Sequence, residues 1–357
     1  MTRIVVVGGG MAGMACARRL QRRGLAPLVI APDLQPQNRG ETLSFRARPF
    51  LEALDWLPLL DESAVLACAG RYSVWGSGLL RRDDTHTEAD SGWHLDRRAL
   101  EAGMARTLEA DGVSRVDGTV RALTRTPDGI TLELADGVRH EADFVIDCSG
   151  RAAVSASDGA LTRLDRLVAC YTIIALADDI ELAAATLVEA VADGWWYMSA
   201  LPGERLLLGF FTDSDLLASG LRRDPRLWAQ MAESTIAVSQ RVASLDIDLT
   251  QQTLEFAPAS TVTATRIVER RILRAGDAAS ALDPLAANGL ATALWSGLQA
   301  ADAVAGLALG QPALAARYEQ SFLQGIAAHL SAQRSLYASE CRFGDAPFWQ
   351  RRNGDSA

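Results

Sequence analysis

Arg3-Ile4-Val5-Val6-Val7-Gly8-Gly9-Gly10-Met11-Ala12-Gly13 opens the chain. The apolar run reads as a buried parallel strand. It enters a turn in which Gly8, Gly10 and Gly13 satisfy G-x-G-x-x-G, a helical stretch follows over 14–23, and Leu28-Val29-Ile30 reads as a second strand. The three glycines serve separate ends, namely a tight turn, close backbone approach to a pyrophosphate, and close helix–strand packing. A helix beginning there offers unpaired N–H groups and a positive dipole end to phosphates. A glycine-rich turn without a ligand is the competing reading, and the strand–turn–helix setting weighs against it. The stretch predicts a Rossmann-like dinucleotide site.

The second strand departs from that pattern. An acid that holds the ribose belongs at its end, but Ala31 stands there, followed by Pro32 and Asp33. Either Asp33 reaches back or the contact is missing, which would weaken the hold on a cofactor.

With 357 residues, 49% hydrophobic and 22% charged, the chain can build two associated lobes around a large core. A net charge of −9 argues against a nucleic-acid partner. No run is long and apolar enough to span a bilayer, and the glycine turn interrupts the apolar N-terminus too early for a signal peptide. The five cysteines lack metal spacing, so free thiols in a reducing cytoplasm are expected. All 35 basic residues are arginine, which removes any mechanism that needs lysine.

Further along, a helix is expected over 49–60 behind Pro49 and a strand over 71–75. Asp96 is placed to cap a helix over 97–110. Strands are expected over 116–123 and 130–134, and 142–147 reads as a buried strand closed by Cys148-Ser149-Gly150-Arg151. Between 160 and 266 the pattern changes to longer strands. Asp193-Gly194 marks a hairpin between 186–190 and 195–201, and 253–266 reads as another strand pair. The first style then returns: a strand over 271–274, Gly276-Asp277, an alanine-rich helix over 285–309 and a last helix over 313–340. The lobes are therefore interleaved: residues 1–70, 96–158 and 267–310 in one, 71–95 and 159–266 in the other, and 311–357 as C-terminal helix and tail.

Four pieces in this order, Gly8–Gly13, Asp96-Arg97, Asp147-Cys148-Ser149-Gly150 and Gly276-Asp277, resemble FAD-dependent monooxygenases and flavin-dependent halogenases. The resemblance covers essentially the whole chain. It implies an α/β fold with an FAD-binding domain of the flavin hydroxylase type and an antiparallel-sheet substrate domain. It implies that Asp277 meets the ribitol of FAD, that Arg97 supports the flavin, and that the loop Asp283-Pro284-Leu285-Ala286-Ala287-Asn288-Gly289-Leu290 turns backbone N–H groups toward its ring. Gly8, Gly10, Met11, Ala12, Gly13, Asp33, Thr42, Val120, Gly289 and Leu290 complete the implied FAD contacts. Gly40-Glu41-Thr42 resembles a segment beside the flavin in halogenases. Gly194-Trp195-Trp196-Tyr197 with Leu201-Pro202 resembles their tryptophan-rich signature at altered spacing. With the aromatic, arginine-rich C-terminus, these features resemble a subgroup that oxygenates a partner polypeptide's tryptophan during tryptophylquinone maturation.

Two departures bear on chemistry. Halogenases use a lysine between flavin and substrate, and this chain has none, so halogenation by that route is disfavoured. No second dinucleotide fingerprint follows the mid-chain strand, which suggests a separate reductase.

Side chains alternate along a strand, so Trp195 and Tyr197 share one face and Trp196 the other. The resemblance turns the first face toward flavin and substrate, and all three are candidate substrate contacts; core aromatics are the alternative. Glu189, a carboxylate in an apolar strand, is paired, at an exposed edge or catalytic. His94 is either a general base or a hydrogen-bonded structural histidine. Arg351 and Arg352 suggest a solvated terminus or, with Phe348 and Trp349 beside them, residues that dock the tail or a partner near the cleft. The expected reaction is oxygenation of an aromatic ring. Two alternatives are a hydroxylase of a small free aromatic and a non-catalytic maturation factor that binds FAD weakly.

Overall fold

Ile4–Val7 is fully buried and lies inside a six-stranded sheet. The order across this sheet is Val268–Glu269, Ile272–Arg274, Phe144–Asp147, Ile4–Val7, Leu28–Ala31, Ser114–Asp117. All pairings are parallel except the first. The computed structural model describes residues 2–33, 42–61, 63–84, 92–157, 159–177 and 184–354. The opening glycine stretch does form strand, turn and helix, the helix running Met11–Arg22.

Glycine is dictated at two of these positions by close approach. A Cβ on Gly8, whose φ is +109°, would overlap the carbonyl of Cys148, and one on Gly13 would overlap the carbonyl of Gly8. The same logic seats the helix Gly289–Ala308: a Cβ on Gly297 would overlap the carbonyl of Ala12. The alanine-rich run is small because two helices cross there almost backbone to backbone.

The second sheet has seven strands in the order Glu255–Pro258, Leu167–Ala175, Arg205–Asp213, Gly194–Leu201, Thr186–Val191, Gly70–Val74, Arg81–Asp84. It is antiparallel except where Thr186–Val191 runs parallel to Gly70–Val74. Two helices, Pro225–Glu233 and Ala237–Ser244, cover one face. Both lie in a stretch that reads as strands by sequence; Asp224 caps the first, with Pro225 in its first turn. The expected strand pair over 253–266 is not a hairpin. Glu255–Pro258 joins the large sheet, and Val262–Ala264 joins a small one with Leu161–Arg163 and Ser280–Ala281.

The C-terminal helix Ala313–Ala338 packs on the first lobe through Ala315, Tyr318 and Phe322, and its last turn at Tyr337 joins the short helix Pro347–Asn353 on the other face of the large sheet. Of the readings for the tail, the solvated terminus and the partner anchor at the cleft are corrected. Phe348 and Trp349 are completely buried. The Trp349 indole donates to the Val191 carbonyl at 2.9 Å, and Arg351 and Arg352 both pair with Asp213. The aromatic and arginine residues fasten the tail to its own protein.

Candidate active site

The parallel strands Ile4–Val7, Phe144–Asp147 and Ile272–Arg274 end beside one another and release the turns at Gly8, Cys148 and Gly276. Ligands of open α/β sheets bind at such strand ends. A cleft of about 290 Å³ opens between these turns and the uncovered part of the large sheet. Gly10, Met11 and Ala12 line it from the first helix, Gly150 and Arg151 from the mid-chain turn, and Asp277, Asp283, Gly289 and Leu290 from the last third of the chain. Thr42 and Arg97 add to its rim.

The floor chemistry is that of an anion site. Gly10 and Asn288, which precede the helices Met11–Arg22 and Gly289–Ala308, make no side-chain cap. Both helices therefore present N–H groups unpaired among the described residues, and positive dipole ends, at the cleft. A Cβ on Gly10, Gly150 or Gly289 would meet nothing within 4 Å, so these glycines leave open a cradle beside the backbone. Asp277 stands at the rim, 3.9 Å from Arg151.

The opposite wall is aromatic. Period-2 alternation sends Trp195 and Tyr197 to the cleft, with Tyr171, Leu207, Gly209 and Phe211 from neighbouring strands. Trp195 stacks on Phe211, centroids 3.9 Å apart and planes within 7°. Its indole N–H donates to the Tyr337 hydroxyl at 3.1 Å, which donates to the Asp283 carboxylate at 2.7 Å. Leu285 N–H and the Gln333 amide also donate to that carboxylate, tying the loop at the cofactor side to the C-terminal helix. Burial raises the pKa of Asp283. Tyr171 donates to Glu255 at 2.9 Å. Tyr197 lies 2.8 Å from the hydroxyl of Thr42, which lies 3.1 Å from Nδ1 of His94. Burial lowers the pKa of His94 to about 4, and burial raises that of Tyr197.

The structure gathers most of the expected residues and leaves others elsewhere. Gly10, Met11, Ala12, Thr42, Arg97, Asp277, Gly289, Leu290, Trp195 and Tyr197 line one cleft, with Gly8 and Gly13 shaping the turn beneath it. Five residues are not brought there, His94 among them, fully buried behind Thr42. Trp196 points to the helix-covered face, against Phe210 and Trp228. Glu189, paired with Trp196, faces the same way; its carboxylate accepts N–H groups of Ile236, Ala237 and Val238 and caps the helix Ala237–Ser244. A carboxylate so occupied is a structural cap rather than a base. Val120 is buried in the core beyond the first sheet. Asp33 stays exposed, 3.6 Å from Arg115, because Pro32 carries the chain past the strand end. Gly40 and Glu41 lie outside the described residues. Sequence reading missed Tyr171, Phe211 and Arg151 as lining residues; for Tyr171 and Phe211 the signal was strand alternation in register with Trp195.

A model of the tryptophan halogenase family matches residues 60–356. The chain belongs to that family. Residues 6–36 also match the NAD(P)-binding Rossmann-like domain. The putative FAD-dependent oxidoreductase LodB of Marinomonas mediterranea is 26% identical over 367 residues, covering 99% of this chain and 97% of that protein. The tryptophan 2-halogenase of Chondromyces crocatus is 24% identical over 348 residues, covering 89% and 64%. Among solved structures, the peptidyl tryptophan dihydroxylase QhpG, essential for tryptophylquinone cofactor biogenesis, aligns with a TM-score of 0.82 at 29% identity, over 99% of this chain and 79% of that one. The flavin-dependent halogenase CmlS aligns with a TM-score of 0.86 at 20% identity, over 100% and 68%, a likeness of fold. Relatives so named indicate FAD as the cofactor and an oxidoreductase of the flavin monooxygenase class. The two uncapped helix ends and the glycine cradle fit such a group.

Proposed function

We propose that this chain is an FAD-dependent monooxygenase whose substrate is a tryptophan carried by a partner polypeptide. One observation carries the reading: a single cleft joins an anion-binding floor, built from two uncapped helix ends, to an aromatic wall of Trp195, Phe211, Tyr171 and Tyr197. Similarity to a peptidyl tryptophan dihydroxylase over 99% of the chain supports the choice of ring.

The helix ends at Met11 and Gly289 would hold the pyrophosphate and the polar edge of the flavin ring, with Asp277 at the ribitol and Arg97 beside the flavin. Reduced flavin supplies the electrons that activate oxygen when it is bound. The chain's own residues bind the ring against Trp195 and Tyr197, orient it toward the floor and limit water between the two walls. The FAD-binding part comprises residues 1–70, 96–158 and 267–310, and the substrate part 71–95 and 159–266, closed by 311–357. Electrons come from a separate reductase. Among the described residues no helix is long and apolar enough to cross a membrane, and the free cysteines fit a cytoplasmic setting.

The test supplies the protein with chemically reduced FAD, oxygen and tryptophan-containing peptides from candidate quinoprotein precursors. Oxygen added to the tryptophan, read by tandem mass spectrometry, is the expected result. A protein that turns over free phenols at full rate and leaves every peptide unchanged defeats the reading.

A further inference from the structure

Behind the aromatic wall, Thr42 connects the cleft to a histidine that no solvent reaches. His94 has no exposed surface. It lies on the strand Trp93–Leu95, where its residue pairs directly with Thr42. Thr42 and Tyr197 both line the cleft. The hydroxyls of Thr42 and Tyr197 and Nδ1 of His94 thus form one continuous chain, with links of 2.8 and 3.1 Å. The other ring nitrogen, Nε2, has no hydrogen-bond partner among the described residues. Burying an unpaired imidazole nitrogen costs free energy that an apolar side chain would not. His140 and His329 also leave Nε2 unpaired among the described residues, so what sets His94 apart is the chain of hydroxyls that joins its Nδ1 to the cleft.

We propose that Tyr197, Thr42 and His94 form a proton relay that removes the ring proton released when the substrate is oxygenated. The proposal rests on the reading of the cleft as an aromatic oxygenation site. In that reaction the ring gains one oxygen atom of O2, reduced flavin supplies two electrons, and the second oxygen atom leaves as water. A C–O bond forms at the ring carbon, its C–H bond breaks, and the electron pair of that bond returns to the ring. The proton passes to the Tyr197 oxygen as the Tyr197 proton moves to Thr42 and the Thr42 proton moves to Nδ1 of His94. The reverse sequence returns it to the cleft, where water formation consumes protons.

A weak base suffices for this step. A ring carbon bearing both hydrogen and oxygen is a strong carbon acid, because losing the proton restores aromaticity. The depressed basicity of buried His94 keeps the imidazole neutral and ready at neutral pH. The relay also fixes a tautomer. At rest Tyr197 must donate to Thr42, Thr42 must donate to Nδ1, and the ring hydrogen must sit on Nε2.

The chain contains four histidines, so 15N-histidine spectra of the holoprotein can be assigned by substitution. We expect His94 at rest to carry its hydrogen on Nε2, and Thr42→Val to shift its Nδ1 resonance while Thr42→Ser preserves it. With a ring-deuterated tryptophan peptide, the isotope effect should stay near unity in the wild type and rise clearly in Thr42→Val. Turnover per bound FAD should fall on the order of 100-fold in Thr42→Val and stay close to wild type in Thr42→Ser. A resting His94 protonated on Nδ1, or a Thr42→Val protein with wild-type turnover and no isotope effect, overturns the relay. Should the wild type oxygenate no tryptophan peptide, the functional reading fails, and the resting tautomer still decides the relay.

Discussion

His94 shows how burial converts an ordinary side chain into one with a pH signature. In the folded chain it titrates at about 4, against 6.5 for the unperturbed group. Between these values the unfolded chain takes up a proton that the folded chain refuses. Stability from this group is therefore complete above the unfolded pKa and is lost as pH falls toward the folded one, by about 3 kcal/mol in all. His94→Gln should flatten that part of the profile, read as the difference between urea unfolding free energies at about pH 7 and about pH 5. A variant with the wild-type slope would show that His94 is not held neutral. Asp277 makes the opposite case. Its side chain is 44% exposed and packs no core, so Asp277→Ala should lose bound FAD, seen as visible absorbance after gel filtration, with an unchanged melting temperature. Loss of fold together with cofactor would contradict its placement at the ribitol. Both residues were legible in the sequence as candidates. What was not legible is the partner: nothing in Thr42 announces that it lies between His94 and Tyr197, 52 residues from one and 155 from the other.

At the scale of elements, legibility followed periodicity. The opening strand–turn–helix and the hairpin around Gly194 were readable because one glycine pattern and one alternation each have a single geometric solution. The helices Pro225–Glu233 and Ala237–Ser244 carry no such signal, and nothing near Glu189 in sequence names the partner of its carboxylate. Its cap reaches N–H groups 47 to 49 residues downstream, beyond any local signal. The tail is ambiguous in sequence for a related reason. Exposed and buried aromatics look alike in sequence, and only the fold shows that Trp349 meets Trp75 edge-on with centroids 5.3 Å apart and closes a cluster with Tyr337 and Phe348. Trp349→Ala should therefore lower folding stability by about 3–5 kcal/mol and leave the affinity for a candidate precursor unchanged once the protein is folded. A loss of precursor affinity at unchanged melting temperature would return the tail to the role of a partner anchor.

Across the whole molecule, two sheets meet so that the cofactor floor belongs to one and the aromatic wall to the other. The loop at Asp283 joins them through Tyr337. Membership of the tryptophan halogenase family makes the reaction at that junction a matter of which side chains stand between floor and wall. Among the described residues the cations that line the cleft are Arg97 and Arg151, and the chain contains no lysine. An amine can lose a proton and then react with or hold hypohalous acid; a guanidinium stays protonated at any working pH and keeps its nitrogens electron-poor. Under the proposed function, an oxidant generated at the floor would have no lysine relay to a ring at the wall, which favours oxygen transfer over halogenation. The protein supplied with reduced FAD, oxygen, bromide or chloride, and either free tryptophan or a tryptophan peptide should release no halogenated product above the level of reduced FAD alone. Oxygenated peptide should appear in the same vessels, which separates an inactive preparation from a chemically restricted one. Enzyme-dependent bromination or chlorination would show that a guanidinium can take the lysine's place.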